Sequence, residues 1–232
     1  MKAAGKPIDY QNRFIAIGNY GSIDDVFNYA QTAINGTTAS QVIPGDLIYI
    51  DFNGDGIINS NDKVVVDELN YPLTTIGFSF GFNWKGLNFS AMLYSPRNIY
   101  KLQFDQYLWD FPASNIRVQP KSMERWTPET ANSSGVMRPA THLNNTYNKV
   151  ESTYRYSDYS YIRLKNMEIG YTFPKKWLSP LGVEALRLYV EGYNLLTFSA
   201  VSKYNIDPES PAVNNGYYPQ QRTYTLGAKI TF

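Results

Sequence analysis

Hydrophobic and polar positions alternate most strictly at the end of the chain. Tyr224, Leu226, Ala228, Ile230 and Phe232 alternate with Thr223, Thr225, Gly227, Lys229 and Thr231. Successive side chains of a strand point to opposite faces, so the pattern predicts a strand with one apolar and one polar face. The same period recurs upstream. Ile76, Phe78, Phe80, Phe82 and Trp84 alternate with Gly77, Ser79, Gly81, Asn83 and Lys85. After Lys85-Gly86, Leu87, Phe89, Ala91 and Leu93 alternate with Asn88, Ser90, Met92 and Tyr94, which predicts a tight hairpin. Residues 159–173 set Met167, Ile169, Tyr171 and Phe173 against Glu168, Gly170 and Thr172. Residues 185–198 set Leu186, Leu188 and Val190 against Arg187, Tyr189 and Glu191. These five strands are clear, and residues 8–20 are a candidate sixth.

The connections are unequal. Lys85-Gly86 is short and 174–184 moderate, whereas 95–158 and 199–221 are long. The first long one carries Pro112, Pro120, Pro128 and Pro139. A structureless loop of that length argues against a compact soluble domain. Short turns at one end and long loops at the other are the pattern of an outer-membrane barrel. Aromatic residues stand at strand ends: Tyr71, Trp84, Tyr94, Tyr159, Tyr161, Phe173, Trp177, Phe198, Tyr224 and Phe232. Interfacial girdles belong there. A β-sandwich also alternates, but its inner faces form a packed core. The Ser, Thr, Gly, Asn and Lys of the polar face suit a water-filled lumen. The expected fold is therefore all-β: an antiparallel transmembrane β-barrel segment with long extracellular loops. Residues 1–70 are expected as an extracellular loop region and 71–232 as barrel strands and loops.

Composition narrows the function. The 232 residues carry a formal net charge of +1, which offers no basic field for nucleic acid. Charged residues are 18%, aromatics 16%, and tyrosine alone appears 20 times. A phenol is apolar at one end and wet at the other, which suits a protein that meets two environments, or a secreted carbohydrate-binding β protein. The absence of cysteine excludes thiolate metal sites, disulfides and cysteine catalysis. One histidine, His142, leaves little room for a His-based metal site or a Ser–His–Asp triad. No run of roughly 20 apolar residues predicts a membrane helix. No apolar leader follows Met1-Lys2-Ala3-Ala4-Gly5-Lys6-Pro7. A membrane barrel must be exported, so on the barrel reading the chain is expected to be a piece of a longer protein.

One loop has the chemistry of a calcium site. Calcium takes oxygen ligands, and a twelve-residue loop supplies them from positions 1, 3, 5, 7, 9 and 12. Here those are Asp51, Asn53, Asp55, the Ile57 carbonyl, Asn59 and Asp62. Gly56 falls where the loop turns sharply, and Ile58 follows as an apolar anchor. Asp62 departs from the Glu of an EF-hand and is similar to dockerin loops. The preceding Asp46–Ile50 reads as extended, so no flanking helix pair is expected. The competing reading is a plain Asx/Gly turn.

Three stretches carry a family resemblance. They are Pro44-Gly45-Asp46 leading into the Asp51–Asp62 loop, Tyr161–Pro174, and Gly192-Tyr193-Asn194-Leu195-Leu196-Thr197 followed by Gly216-Tyr217-Tyr218-Pro219-Gln220 and the closing strand. In order and spacing they resemble the C-terminal part of SusC-type TonB-dependent transporters of Bacteroidota. The resemblance covers most of the chain from about residue 44. It implies the last five or six strands of a barrel of about 22, exported to the cell outer membrane. It implies import of glycans or peptides, driven by TonB–ExbB–ExbD through a plug domain. It implies a SusD-like surface lipoprotein seated on the extracellular loops, and outer-membrane lipid around the strands. Phe232 resembles the aromatic signal read by the barrel-insertion machinery. It then lies at the periplasmic rim, with the 199–221 and calcium-like loops outside.

The other candidates have plain structural readings. Tyr100, Tyr107, Trp109 and Trp126 have ring faces for stacking on sugars, but packing under a lid protein is the simpler role. Met123–Pro128 also resembles a family loop feature of structural kind. Asp105, Asp110 and Glu124 show no spacing that marks a glycosidase pair, and no enzyme is expected. Arg163, Lys165, Arg187, Glu191 and Lys229 are expected at the lumen or the rims. Two alternatives to the importer stand: a passive porin-like barrel, and a secreted calcium-binding adhesion or dockerin-like β module.

Overall fold

The computed structural model describes residues 10–38, 41–102, 120–131, 135–140, 146–204, 206–210 and 220–232. The chain forms two compact units, Met1–Leu69 with Lys101–Ser157, and Asn70–Tyr100 with Asp158–Phe232. Among the described residues no helix is long and apolar enough to cross a membrane, which says nothing of strands.

The first unit is built from short pieces. Strands β1 (Gln11–Arg13) and β2 (Ala16–Asn19) precede helix α1 (Ile23–Asn28), then β3 (Gln31–Thr32), β4 (Leu47–Tyr49), β5 (Ile57–Ile58) and β6 (Val64–Val66). They pair as β1 with β6, β2 with β4, and β3 in parallel with β5. The candidate sixth strand at 8–20 is therefore corrected. Residues 8 and 9 lie outside the described residues, and the rest is two short strands that pair inside this unit, not with the barrel sheet. Ser22 starts α1 in a capping box: its Oγ accepts from Asp25 N–H at 3.2 Å, and Asp25 accepts from Ser22 N–H at 2.8 Å. The core gathers Phe14, Tyr20, Val26, Leu47, Tyr49, Ile58 and Tyr147, with Ile34, Val42 and Val150. Each such burial is worth about 1.5–3 kcal/mol. Pro44-Gly45-Asp46 sits beside this core. Asp46 is fully buried, accepting from Ile43 N–H at 3.0 Å and from the Asn148 amide at 2.7 Å. Gly45 has φ +94°, and a Cβ there would lie 2.5 Å from both Trp126 and Ala140. Trp126 is thus packing, in line with the structural reading of 123–128.

The second unit is one antiparallel sheet of long strands: β7 (Thr74–Trp84), β8 (Leu87–Arg97), β11 (Tyr161–Thr172), β12 (Ala185–Ser199) and β13 (Thr223–Thr231). Their order is β13-β12-β11-β8-β7, and β9 (Tyr100–Leu102) with β10 (Tyr156–Asp158) forms a separate two-stranded sheet. Lys85 (φ 49°) and Gly86 (φ 92°) close the β7–β8 hairpin, both left-handed as a type I′ turn requires. A Cβ on Gly86 would meet the Thr172 carbonyl at 2.5 Å, and Gly86 O accepts from Thr172 N–H at 2.8 Å. That end also carries the 173–184 connection, with helix α2 (Lys175–Leu178). The long 98–160 and 200–222 connections leave from the other end, as the sequence predicts.

Register carries the two-faced pattern across all five strands. Phe80 faces Ala91, Phe82 faces Phe89, Ile169 faces both Phe89 and Val190, and Val190 faces Leu226. These side chains form one apolar face, and it is exposed: Phe78 57%, Phe82 52%, Val190 52% and Leu226 80%. On the opposite face Gly81 lies against Ser90, Ser90 against Glu168, Glu168 against Glu191, and Glu191 against Thr225. The all-β, two-faced, antiparallel barrel-wall architecture is what the structure has.

Candidate functional site

The polar face is the candidate site, and a β-bulge keeps it continuous. Arg163 pairs with Tyr94 of β8 and Asn166 with Met92, so Lys165 is an extra residue of β11 against β8. Against β12 the same step runs from Thr197 to Tyr193, and there the extra residue lies in β12. One extra residue inverts the alternation of every residue beyond it. Before the bulge odd numbers (Tyr161, Arg163) take the polar side, and after it even numbers (Glu168, Gly170, Thr172) do. The same register corrects the aromatic girdle. Tyr94 shares the polar face with Arg163, and Tyr161, its ring tilted against that of Tyr94 at 6.2 Å, is 4% exposed, as is Tyr159. Trp84 and Phe198 stand at the ends of β7 and β12, Phe173 directly follows β11, and Trp177 lies in α2, with Phe173 against Tyr171 at 5.1 Å and Trp177 at 6.4 Å. Tyr224 and Phe232 are 70% and 84% exposed.

Near the short turns, long side chains lie flat on this wall. Arg187 pairs with Glu168 and stretches over Gly170, where a Cβ would come within 3.0 Å of its Nη2. Tyr189 lies over Gly227, where a Cβ would come within 2.2 Å of its ring. Glu191 accepts from the Tyr193 hydroxyl, and Asn88 donates to Asn83 at 2.5 Å. A shallow cleft of about 500 Å³ opens over Asn83, Asn88, Ser90, Glu168, Thr172 and Arg187. Lys229 stands in register with Arg187.

Near the long loops the wall carries a buried charge cluster. Arg163, 2% exposed, donates from Nη2 to Asp207 at 2.6 Å. Its Nη1 lies 3.0 Å from Glu209 Oε2, an ion pair whose angle is not that of a hydrogen bond. Glu209 also accepts from Lys165 Nζ and from the Tyr161 hydroxyl, both at 2.5 Å. Burial pushes the Asp207 carboxyl up, but the N–H groups of Glu209 and Gln220 and the Arg163 guanidinium hold it below the ordinary range. Glu209 follows the same balance: burial raises it, and Lys165, Tyr161 and Arg163 lower it further than that. A second cleft of about 330 Å³ opens beside the cluster, lined by Arg163, Asn194, Thr197, Asp207, Gln220 and Arg222 among others. Arg163 and Lys165 were legible as wall residues from the sequence. Asp207 and Glu209 were not, since nothing in a loop's pattern reveals a partner 44 residues away.

The Asp51–Asp62 loop closes on its own backbone. Asp51 accepts from Gly54 and Gly56 N–H at 2.8 Å each, Asn53 from Asp55 N–H at 2.9 Å, and Asp55 from Ile57 N–H at 2.8 Å. Asn59 accepts from Asn61 N–H at 2.9 Å and donates to the Ile57 carbonyl at 3.0 Å. Asp62 is fully buried and accepts from Phe52, Asn53 and Asn59 N–H at 3.0, 3.3 and 2.8 Å. Among the described residues no three His, Cys, Asp or Glu side chains are grouped to hold a metal. Asp51, Asn53 and Asp55 are exposed or half-exposed around one turn, where Asn53 donates to Asp55 at 2.9 Å. Of the other candidates, Tyr100 is half-buried in β9 and Glu124 is exposed. Asp105, Tyr107, Trp109, Asp110 and His142 lie outside the described residues.

Known proteins have this pattern. The chain is 30% identical over 202 residues to TonB-dependent receptor P3 of Formosa agariphila, covering 82% of this chain and 19% of that receptor. It is 32% identical over 219 residues to TonB-dependent receptor P26 of the same organism, covering 85% and 20%. The chain is a relative of TonB-dependent receptors, as its motifs indicated, and spans about a fifth of the length of those it matches. No protein-family model matches it. Among solved structures it superposes on the RagAB peptide transporter with a TM-score of 0.67 at 19% identity, covering 96% of this chain and 22% of that one. The 'closed-closed' state of the RagAB peptide importer gives 0.66 at the same identity. At that identity the likeness is one of fold. The relatives are named as receptors, and the solved structure of like fold as a transporter.

Proposed function

We propose that this chain is the C-terminal barrel segment of a TonB-dependent importer of glycans, peptides or other large nutrients in the cell outer membrane. One observation carries it: a five-stranded sheet has a continuous exposed apolar face on one side and charged and small polar residues on the other. Only a wall between lipid and water needs both. A secreted β module does not expose Phe78, Phe80, Phe82 and Trp84 in one row. The outer strands β7 and β13 each have a partner on one side only, which suits a barrel completed by further strands to about 22. Such a barrel would take a plug that engages TonB–ExbB–ExbD, and a SusD-like surface lipoprotein over the long loops. The test is uptake by cells carrying the intact receptor, with labelled oligosaccharides and oligopeptides as probes. Uptake that vanishes without TonB, with the protein in the outer-membrane fraction, supports the importer. Uptake indifferent to TonB supports the porin-like barrel, and a protein released without detergent supports the secreted module.

The Asp51–Asp62 loop is proposed to take one structural Ca²⁺. The support is the donor chemistry of Asp51, Asn53, Asp55, the Ile57 carbonyl and Asn59, of which the first three share one turn. Asp62, bound to three backbone N–H groups, would shape the loop more than ligate. A bound ion would cross-link the turn and raise thermal stability. Millimolar CaCl₂ should raise Tm where MgCl₂ does not, and Asp55→Asn should abolish the rise. Identical melting with and without calcium rules the ion out.

A further inference from the structure

The connection after β12 runs through a 3₁₀ turn at Ala200–Tyr204 and returns to the wall at residues 206–210. Two separate contacts hold it there. One is apolar: Val201, 1% exposed, packs with Ile99 and Tyr159, and Ile206 adds to the same cluster. The other is the charge cluster. Asp207 accepts from Arg163 at 2.6 Å, from Glu209 N–H at 2.9 Å and from Gln220 N–H at 2.9 Å. It thereby ties residues 209 and 220 together and fastens both to β11. Among the described residues, the Glu209 carboxylate meets the wall side chains of Arg163, Lys165 and Tyr161. Lys165 in turn lies 5.5 Å from the Tyr94 ring centre on β8. Lys165, the donor to Glu209, is the extra residue of β11 against β8.

We infer that Asp207 and Glu209 form a clasp that fastens the root of the β12–β13 connection to the inner wall at Arg163 and Lys165, and so fixes the mouth of the 330 Å³ cleft beside it. The inference rests on the membrane-barrel reading only for which side of the wall is inner. Asp207 and Glu209 are positioning residues. Opening the clasp lets 206–210 lift off while the strands stay paired, since β11, β12 and β13 keep their ladders without it.

This chain brings no cysteine of its own, so a receptor whose remaining cysteines are replaced by serine gives a clean background for a reporter. Ser210 is 8% exposed behind the clasp, and Ser202 is exposed on the 3₁₀ turn before it. Ser210→Cys and Ser202→Cys are made separately in the intact receptor and labelled with a maleimide at pH 7.5. Ser202→Cys should label fast in every background and Ser210→Cys slowly. Adding Glu209→Lys should speed Ser210→Cys labelling about tenfold or more, because charge-assisted bonds to the wall become repulsions. Adding Lys165→Glu to that variant should return the rate toward the starting value. The clasp is overturned if Glu209→Lys leaves the rate unchanged, or if Lys165→Glu fails to slow it again. Asp207→Asn is the second measurement: it leaves the wall residues intact and should also speed labelling. A receptor that behaves so but is not in the outer membrane sinks the proposed function and keeps the clasp. One that is in the membrane with unchanged labelling does the reverse.

Discussion

Gly45 is fixed by two separate demands. Its φ of +94° lies where side chains are strained, and its missing Cβ leaves room for Trp126 and Ala140. Gly36 is also left-handed, at φ +75°, but nothing lies within 4 Å of the position a Cβ would take. The pair separates backbone strain from packing. Gly36→Ala should cost on the order of 1 kcal/mol. Gly45→Ala should cost roughly 2–4 kcal/mol, since strain and overpacking add. Urea unfolding of the intact protein, followed by tryptophan fluorescence, measures both. Equal losses would remove the packing part of the account.

At the scale of the strand, a residue's cost is set by which face it takes. Phe80 and Ser79 are neighbours in the middle of β7, one on the apolar face and one on the polar. Phe80→Arg would put a charge into the lipid and should cost about 2–4 kcal/mol if it lies near the bilayer midplane. Ser79→Arg would reach the watery side and should cost less than about 1 kcal/mol. Refolding of the intact receptor into lipid vesicles, with folded protein scored by its heat-dependent gel mobility, gives the comparison. A similar loss in both variants would mean that the apolar face is not in lipid. These faces were legible from sequence because period two persists over nine or more residues. The Lys85-Gly86 turn was legible because few residues tolerate two successive left-handed positions. The bulge at Lys165 was not, because a parity switch inside Tyr161–Thr172 reads in sequence as weak alternation. The first unit was not legible either. Its strands run two to four residues, too short for any period to show, and its core comes from residues as distant as Phe14 and Tyr147. The oxygens of the Asp51–Asp62 loop were legible as a list, but not their engagement with backbone N–H groups.

Across the whole molecule, the two units should answer to opposite ends of the pH scale. In the sheet unit, Asp207 and Glu209 are held below the ordinary carboxylate range. Among the described residues, the groups around them are Arg163, Lys165 and Tyr161 on β11, Tyr94 on β8, and Arg222 and Gln220 leading into β13. Carboxyls with a lowered folded pKa contribute stability above the unfolded value, near pH 4, and lose it as pH falls through the folded one. The clasp should therefore stay closed at neutral pH and release only in acid below about pH 4. In the first unit, burial pushes the hydroxyls of Tyr20, Tyr49 and Tyr147 up. Their folded forms stay neutral where the unfolded chain ionises, so the stability they contribute is present below about pH 10 and lost above it. Hydrogen exchange across the pH range reads each unit by its own peptides. Residues 206–210 should lose protection first in acid, and residues 46–49 and 147–150 first in alkali. Loss of protection in both units at the same pH would show that these groups do not set the response.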